Sequence, residues 1–211
     1  MNTRLTLMMR TQVSSIVRKQ LRILFGAFIC ATILTGYASS ATAKNDADAA
    51  KVYQMVYSAK LDPKTGQAHA SVTLKQHRQL VRSIELVMPK DRYLNIRPIS
   101  RIEINGDRVI WKPLKKGDTL HFDFVIDHQR SNRKMDARIT TTWALLKLDH
   151  LFPCATSRVV KGATSKTTLT LNAPTQWSIE TPYGGGAGRI FEVDNTHRNF
   201  DAPRGWIIAG E

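Results

Sequence analysis

The chain has 211 residues, with 31 Lys or Arg against 17 Asp or Glu and a formal net charge of +14. This length allows one domain with a substantial hydrophobic core. The basic residues are interspersed with acidic ones and no nucleic-acid-reading motif is present, which argues against a dedicated DNA- or RNA-binding protein.

The first 43 residues have the features of a secretory signal peptide. They contain five basic residues and no acidic one, and they include an uncharged apolar run at 23–34. Ala41 and Ala43 fit the small-residue positions of an A-x-A cleavage site, which predicts cleavage before Lys44. Because the apolar run is shorter than the roughly 20 residues of a spanning helix, a retained membrane anchor is not expected. The sequence therefore predicts an exported protein, in the periplasm or alternatively outside the cell.

Cleavage changes the charge and the cysteine content of the mature chain. Removal of the five basic residues leaves 26 Lys or Arg against 17 acidic residues, a net charge of +9. Cys30 is lost with the signal peptide, so Cys154 is left alone and cannot form an internal disulfide. Residues 44–50 are small and polar and predict a flexible leader, and residues 51–211 are predicted to form a single domain.

From residue 53 onward the hydrophobic pattern has a period of two, which is typical of strands that bury one face. Two such runs flank the turn residues 62–66 and predict a β-hairpin. Asn105 and Gly106 lie between two further apolar runs and predict a tight hairpin, whose two turn positions take positive φ. The stretch 79–87 fits either a strand or a helix.

After a polar break at 128–134, the second half contains further strand patterns. Residues 139–148 predict one long strand, and shorter ones follow at 167–173, 177–180, 190–193 and 206–209. No segment of the mature chain shows a helical face of three turns. The prediction is an all-β fold, an antiparallel two-sheet sandwich without internal repeats.

No recognisable catalytic or metal-binding motif is present. The histidines include no H-E-x-x-H pair. One strand face carries the polar residues His121, Asp123 and Asp127, a pattern that is typical of a solvent-exposed strand face. Cys154 follows His150 closely, but a proline between them breaks any helix that would align the two side chains. We therefore predict no catalytic residue and no metal ligand on this chain.

A glycine-rich segment after the last tyrosine is a candidate binding site. A phosphate-binding loop would need a helix after the glycines, whereas residues 190–193 predict a strand. The segment is therefore predicted to be a flexible hairpin loop, near which Trp177 is either an exposed ligand platform or a core residue. The candidate ligand contacts are Tyr183, Gly184, Gly185 and Gly186.

The second half of the chain resembles a known family. The segments LDHLFP from Leu148, GATSKTTLTLNAPTQWSIETPYGG from Gly162 and FEVDNTHRNFDAPRGWIIAGE from Phe191 are similar to the N-terminal β domain of exported glycyl-aminopeptidase-like metallopeptidases. These belong to the gluzincin group of zinc peptidases. The pattern Thr-Leu-x-Leu-x-x-Pro-x-x-Trp, from Thr168 to Trp177, is similar to a strand and turn of that domain.

The resemblance implies a non-catalytic domain. In the family, a β-rich domain precedes a helical catalytic domain that carries H-E-x-x-H, and no such motif occurs in this sequence. The resemblance therefore implies that this chain binds no cofactor, that zinc belongs to a missing catalytic domain, and that the chain is truncated before that domain. The expected partners are that domain or a peptide substrate. The alternatives are a free-standing exported module that binds a peptide or glycan, and an enzyme centred on Cys154.

Overall fold

The computed structural model describes residues 51–129, 135–153, 155–186, 189–193 and 200–211. The predicted signal peptide at 1–43, with Ala41 and Ala43 at its cleavage site, lies outside these residues, as do the predicted leader at 44–50 and Cys154. In the part of the chain that is described, no helix is long and apolar enough to cross a membrane.

The described residues form short β-strands and one helical turn, which confirms the prediction of an all-β fold. The ambiguous stretch at 79–87 is a strand. The strands are β1 (Val52–Asp62), β2 (Gln67–Lys75), β3 (Val81–Val87), β4 (Tyr93–Pro98), β5 (Arg101–Asn105), β6 (Arg108–Lys112), β7 (Gly117–Val125), β8 (His128–Gln129), β9 (Met135–Ile139), β10 (Trp143–Lys147), β11 (Ala155–Val159), β12 (Thr164–Asn172), β13 (Ser178–Thr181), β14 (Gly184–Gly186), β15 (Ile190–Val193) and β16 (Trp206–Gly210). The helix α1 is Leu148–Leu151.

The strands are arranged in three sheets, rather than in the two of the simplest sandwich. The first has the order β15-β12-β1-β2-β7-β4, the second β11-β3-β6-β5 and the third β14-β13-β16-β10-β9-β8. Strands β1 and β12 are parallel, whereas the other described pairs are antiparallel.

Both predicted hairpins form, and one has a shifted turn. Strands β1 and β2 pair around residues 62–66. In the second hairpin, Asn105 is the partner of Arg108, so the two loop residues are Gly106 and Asp107 rather than Asn105 and Gly106. Gly106 has a φ of 60°, whereas Asp107 does not have a positive φ. This is typical of a two-residue turn that needs glycine only at its first position.

Gly117, the first residue of β7, is a position where an added side chain would be costly. Its φ is 116°, and a Cβ atom there would overlap the backbone oxygen of Leu74 on β2. We expect Gly117→Ala to lower the free energy of unfolding by about 2 kcal/mol, because backbone in a paired strand cannot move aside easily. Urea denaturation measures this loss. Gly106→Ala is the control, since it shares the strain of a positive φ but its Cβ would meet no atom within 4 Å. Equal losses in the two variants would contradict the steric explanation.

Residues 139–148 do not form the single strand that the sequence predicts. Strand β9 ends at Ile139 and β10 begins at Trp143. The Thr140 hydroxyl accepts a hydrogen bond from the Trp143 amide (3.1 Å), and the Thr140 amide donates to the Trp143 carbonyl oxygen (2.7 Å). Threonine favours strands but also closes turns through its hydroxyl, so a run of three threonines conceals this turn in the sequence.

The inner faces of the first and second sheets meet in one aromatic core. Trp111 of β6 is fully buried, and its indole N–H donates to the Asp118 carboxylate of β7 (2.8 Å). Tyr57 of β1 and Phe122 of β7 both pack edge-on against Phe152, with ring centroids 5.0 and 6.5 Å apart. This core fixes the sheets on which the surface sites described below are built.

Candidate functional site

In the part of the glycine-rich segment that the structure describes, Gly184–Gly186 form a strand rather than the flexible loop that the sequence predicts. Strand β14 lies at the edge of the third sheet, where Gly185 is the partner of Glu180 on β13. A Cβ atom on Gly185 would overlap the Glu180 carboxylate. The Glu180 side chain is exposed, so its carboxylate can move aside and this overlap alone does not require glycine at position 185.

The two aromatic residues near this segment differ in their exposure. Trp177 is a core residue, with an exposed fraction of 3%. Tyr183 is half-buried, and its hydroxyl accepts a hydrogen bond from the Arg204 amide (2.9 Å). Trp177 therefore does not provide the exposed ring that a peptide or glycan platform requires. The ligand contacts proposed for Tyr183, Gly184, Gly185 and Gly186 stay a prediction.

Asp123 of β7 belongs to a hydrogen-bonded cluster on the outer face of the first sheet. The Asp123 carboxylate is largely buried and lies 2.8 Å from His69 Nδ1, and it accepts a hydrogen bond from the Asn95 amide group (2.6 Å). His121 and Asp127 are exposed. The described residues contain no group of three or more His, Cys, Asp or Glu arranged to hold a metal ion.

The Asp123 cluster makes stability depend on pH. Burial raises the pKa of Asp123, but the hydrogen bonds from Asn95 and His69 outweigh burial and hold this pKa below its usual value. A depressed carboxyl pKa stabilises the fold above the unfolded-state pKa of about 3.9, and this contribution is lost as pH falls through the folded-state pKa. On going from neutral pH to below about pH 4, we expect the free energy of unfolding to fall less for Asp123→Asn than for the unmodified protein.

Urea denaturation at neutral and acidic pH measures this difference. Asp127→Asn is the control, since it removes an exposed carboxylate from the same region. If Asp123→Asn and Asp127→Asn show the same dependence on pH, the Asp123 cluster is not the source of the acid sensitivity.

The outer face of the third sheet carries four large apolar side chains. Strand β10 presents Trp143 and Leu145, and β16 presents Trp206 and Ile208, while the alternate residues of both strands lie in the core. Leu145 and Ile208 are partners in the sheet register. The exposed fractions are 41% for Trp143, 36% for Leu145, 48% for Trp206 and 53% for Ile208. We call these four residues the apolar face.

The strands of the apolar face lack the polar alternation of a solvated sheet. Strand β10 begins with WALL and β16 with WIIA, whereas the buried residues of β1 and β2 alternate with exposed or half-buried ones. Continuous apolar runs are typical of strands that are covered on both faces. Contiguous apolar patches on soluble proteins commonly mark interaction sites.

Charged residues surround the apolar face. The Lys147 ammonium group lies 4.8 Å from the centroid of the Trp206 ring, an arrangement that favours a cation–π interaction. Arg138 on β9 is the partner of Leu145, and Glu180 on β13 is the partner of Ile208. An apolar centre with exposed tryptophans and a charged rim is the usual composition of a protein–protein interface.

Comparison with known proteins finds partial structural similarity. No protein-family model matches the sequence, and no curated protein is significantly similar to it. Yeast LTA4 hydrolase is 14% identical, with a TM-score of 0.39 over 75% of this chain and 28% of its own. The M1 zinc metallopeptidase of Deinococcus radiodurans is 11% identical, with a TM-score of 0.40 over 76% of this chain and 41% of its own. Aminopeptidase A of Legionella pneumophila is 16% identical, with a TM-score of 0.35 over 75% of this chain and 21% of its own.

This chain thus spans less than half the length of each of the three proteins. Zinc metallopeptidases, which the sequence resembles, are found again among the similar solved structures. At these identities and TM-scores, the similarity carries no information about activity.

Proposed function

We propose that residues 51–211 are the non-catalytic β domain of an exported metallopeptidase-like protein, and that the apolar face is the surface on which the catalytic domain packs. The apolar face is the observation that carries this proposal. The family resemblance in the sequence supports the identity of the partner, because a β-rich domain and a catalytic domain occur together in that family.

The geometry of the apolar face favours a protein domain as its occupant. The four side chains lie on two paired strands of a six-stranded sheet, so they form a broad and rigid surface. Tryptophan is among the residues that contribute most to protein interfaces, because a large ring is buried at a low cost in conformational entropy. Glu180 on the rim would be costly to transfer into lipid, whereas a protein partner can supply a donor to it.

The domain would act as a scaffold rather than as a source of catalytic groups. Its strands fix the position of the apolar face, and the catalytic domain that covers this face would supply the zinc site and the reacting groups. The β domain would then form one wall of the substrate cleft. Export is supported by the signal peptide features of residues 1–43, and the catalytic domain is proposed to lie outside residues 1–211.

The mass of the native protein in the exported fraction tests this proposal. An antibody to residues 51–211 detects the protein after denaturing and after native separation. If the denatured species is much larger than residues 44–211, the catalytic domain lies on the same polypeptide. If the denatured species has the mass of residues 44–211 but the native complex is larger, the catalytic domain lies on a second polypeptide. A species of the mass of residues 44–211 under both conditions would contradict the proposal and favour a free-standing peptide- or glycan-binding module.

A further inference from the structure

A cleft on the second sheet is lined by four basic side chains. Its volume is about 430 Å³, and its polar lining is provided by Arg82, Ser83, Lys112, Arg158 and Lys161. The other residues that line it are valines. No carboxylate of the described residues lines this cleft, which we call the basic cleft. Its chemistry is that of an anion-binding site.

The sheet register places three of these residues, Arg158, Ser83 and Lys112, in one row across the sheet. Arg158 on β11 is the partner of Ser83 on β3. Lys112 on β6 follows Trp111, the partner of Ile84, so it lies beside Ser83. On the far side of Lys112, its partner on β5 is Arg101. Arg158 and Lys112 therefore lie on either side of Ser83 and line the basic cleft, whereas Arg101 lies beyond Lys112 and outside its lining.

A β-bulge places a further basic residue, Arg82, beside this row. Arg158 is the partner of Ser83, but the next residue, Val159, is the partner of Val81, so Arg82 is the extra residue of β3. Consequently Arg82 and Ser83 both lie on the outer face, between the buried Val81 and Ile84. Bulges commonly redirect side chains at functional sites. Strict alternation would have placed Arg82 and Ser83 on opposite faces.

The positive charge of the basic cleft is only partly compensated. Lys112 pairs with Glu103 at 2.5 Å. The hydrogen bond and charge of Lys112, with a smaller contribution from Arg101, hold the pKa of Glu103 below its usual value. Across the described ranges, no ion pair is found for Arg82, Arg158 or Lys161. Three cations and the Ser83 hydroxyl are thus available to a ligand.

We propose that the basic cleft binds a phosphate group, either on a small free phosphate compound or on an anionic lipid headgroup. Guanidinium groups donate paired hydrogen bonds to phosphate oxygens, and the Ser83 hydroxyl and the Lys161 ammonium group supply further donors. The volume exceeds that of a simple anion and lies within the range of small-molecule sites. The basic cleft lies on a different sheet from the apolar face, so this proposal does not depend on the proposed function.

Calorimetry with inorganic pyrophosphate and sedimentation with lipid vesicles test the proposal on the protein purified from the exported fraction. The vesicles contain phosphatidylcholine alone or with phosphatidylglycerol. We expect Arg82→Gln and Arg158→Gln each to weaken binding about tenfold, because each removes a charged donor. Arg97→Gln removes the same charge from an exposed position on the first sheet and is expected to change binding less than about twofold. Circular dichroism establishes that the variants are folded.

The two probes distinguish the sources of phosphate. Binding of pyrophosphate that weakens in Arg158→Gln identifies a small phosphate compound as ligand. Binding only of phosphatidylglycerol vesicles, again weakened in Arg158→Gln, identifies a lipid headgroup. Binding of neither probe would overturn the proposal, as would equal weakening by Arg97→Gln and Arg158→Gln, since equal effects indicate attraction by net charge alone.

Discussion

The double variant Trp143→Ser/Trp206→Ser is expected to lose its association with the catalytic domain while retaining its fold. Hot-spot tryptophans at interfaces contribute about 2 kcal/mol or more each, so loss of both should weaken association about 1,000-fold. Both rings are substantially exposed in the described chain. More than half of each side chain is nevertheless covered within the chain, so the double variant should lose some stability and still fold, and the isolated chain should be less prone to aggregate.

Native size-exclusion chromatography of the exported fraction and thermal unfolding of the purified chain measure these two effects. The control is Ile99→Ser/Ile190→Ser, which removes two side chains that are 73% and 72% exposed but lie outside the apolar face. The control should remain in the complex. A double tryptophan variant that still elutes with its partner would show that the apolar face is not the interface.

Arg92→Met is expected to destabilise the fold by about 3 kcal/mol or more, because it breaks a buried ion pair. Arg92 Nη1 donates to both carboxylate oxygens of Asp136 at 2.9 and 2.8 Å, and the side chains are only 9% and 11% exposed. Arg92 Nε also donates to the Val125 carbonyl oxygen (3.0 Å), and the guanidinium carbon lies 4.6 Å from the centroid of the Phe124 ring.

The position of this pair explains the size of the expected effect. Arg92 immediately precedes β4 of the first sheet and Asp136 lies on β9 of the third, so the pair joins two sheets. Methionine would retain part of the packing against Phe124 but would leave the Asp136 carboxylate largely buried without its guanidinium partner.

Urea denaturation of Arg92→Met and Arg108→Met provides the test. Arg108 pairs with Glu85 at 2.7 Å, but its side chain is 69% exposed. Exposed pairs contribute at most about 1 kcal/mol, so the Arg108 variant should be nearly as stable as the unmodified protein. A similar loss in both variants would contradict the role of burial.

Alternation predicted the strands whose one face is buried and whose other face is polar. In β1 and β7, buried residues such as Tyr57 and Phe122 are separated by polar ones, and the pattern requires no knowledge of the neighbouring strands. In β3, the bulge at Arg82 separates the buried Val81 and Ile84 by three positions. That spacing is also typical of a helix, which explains why residues 79–87 fitted both structures.

The two sites could not be predicted in the same way. The four basic residues of the basic cleft come from β3, β6, β11 and the turn after β11, and only the folded sheet brings them together. The apolar face had a sequence signal in the continuous runs WALL and WIIA. Those runs indicate a strand with two apolar faces, but they do not show that one of these faces is exposed in the described chain.

Photo-crosslinking from position 206 tests the central claim most directly. A photoreactive phenylalanine derivative replaces Trp206 in the protein as it is exported, and mass spectrometry identifies the peptides joined to it. The account predicts crosslinks to the catalytic domain of a zinc peptidase, recognised by an H-E-x-x-H sequence in the same polypeptide, and none from a probe at Ile99. Crosslinks only to a second copy of this chain, or none at all from position 206, would contradict it.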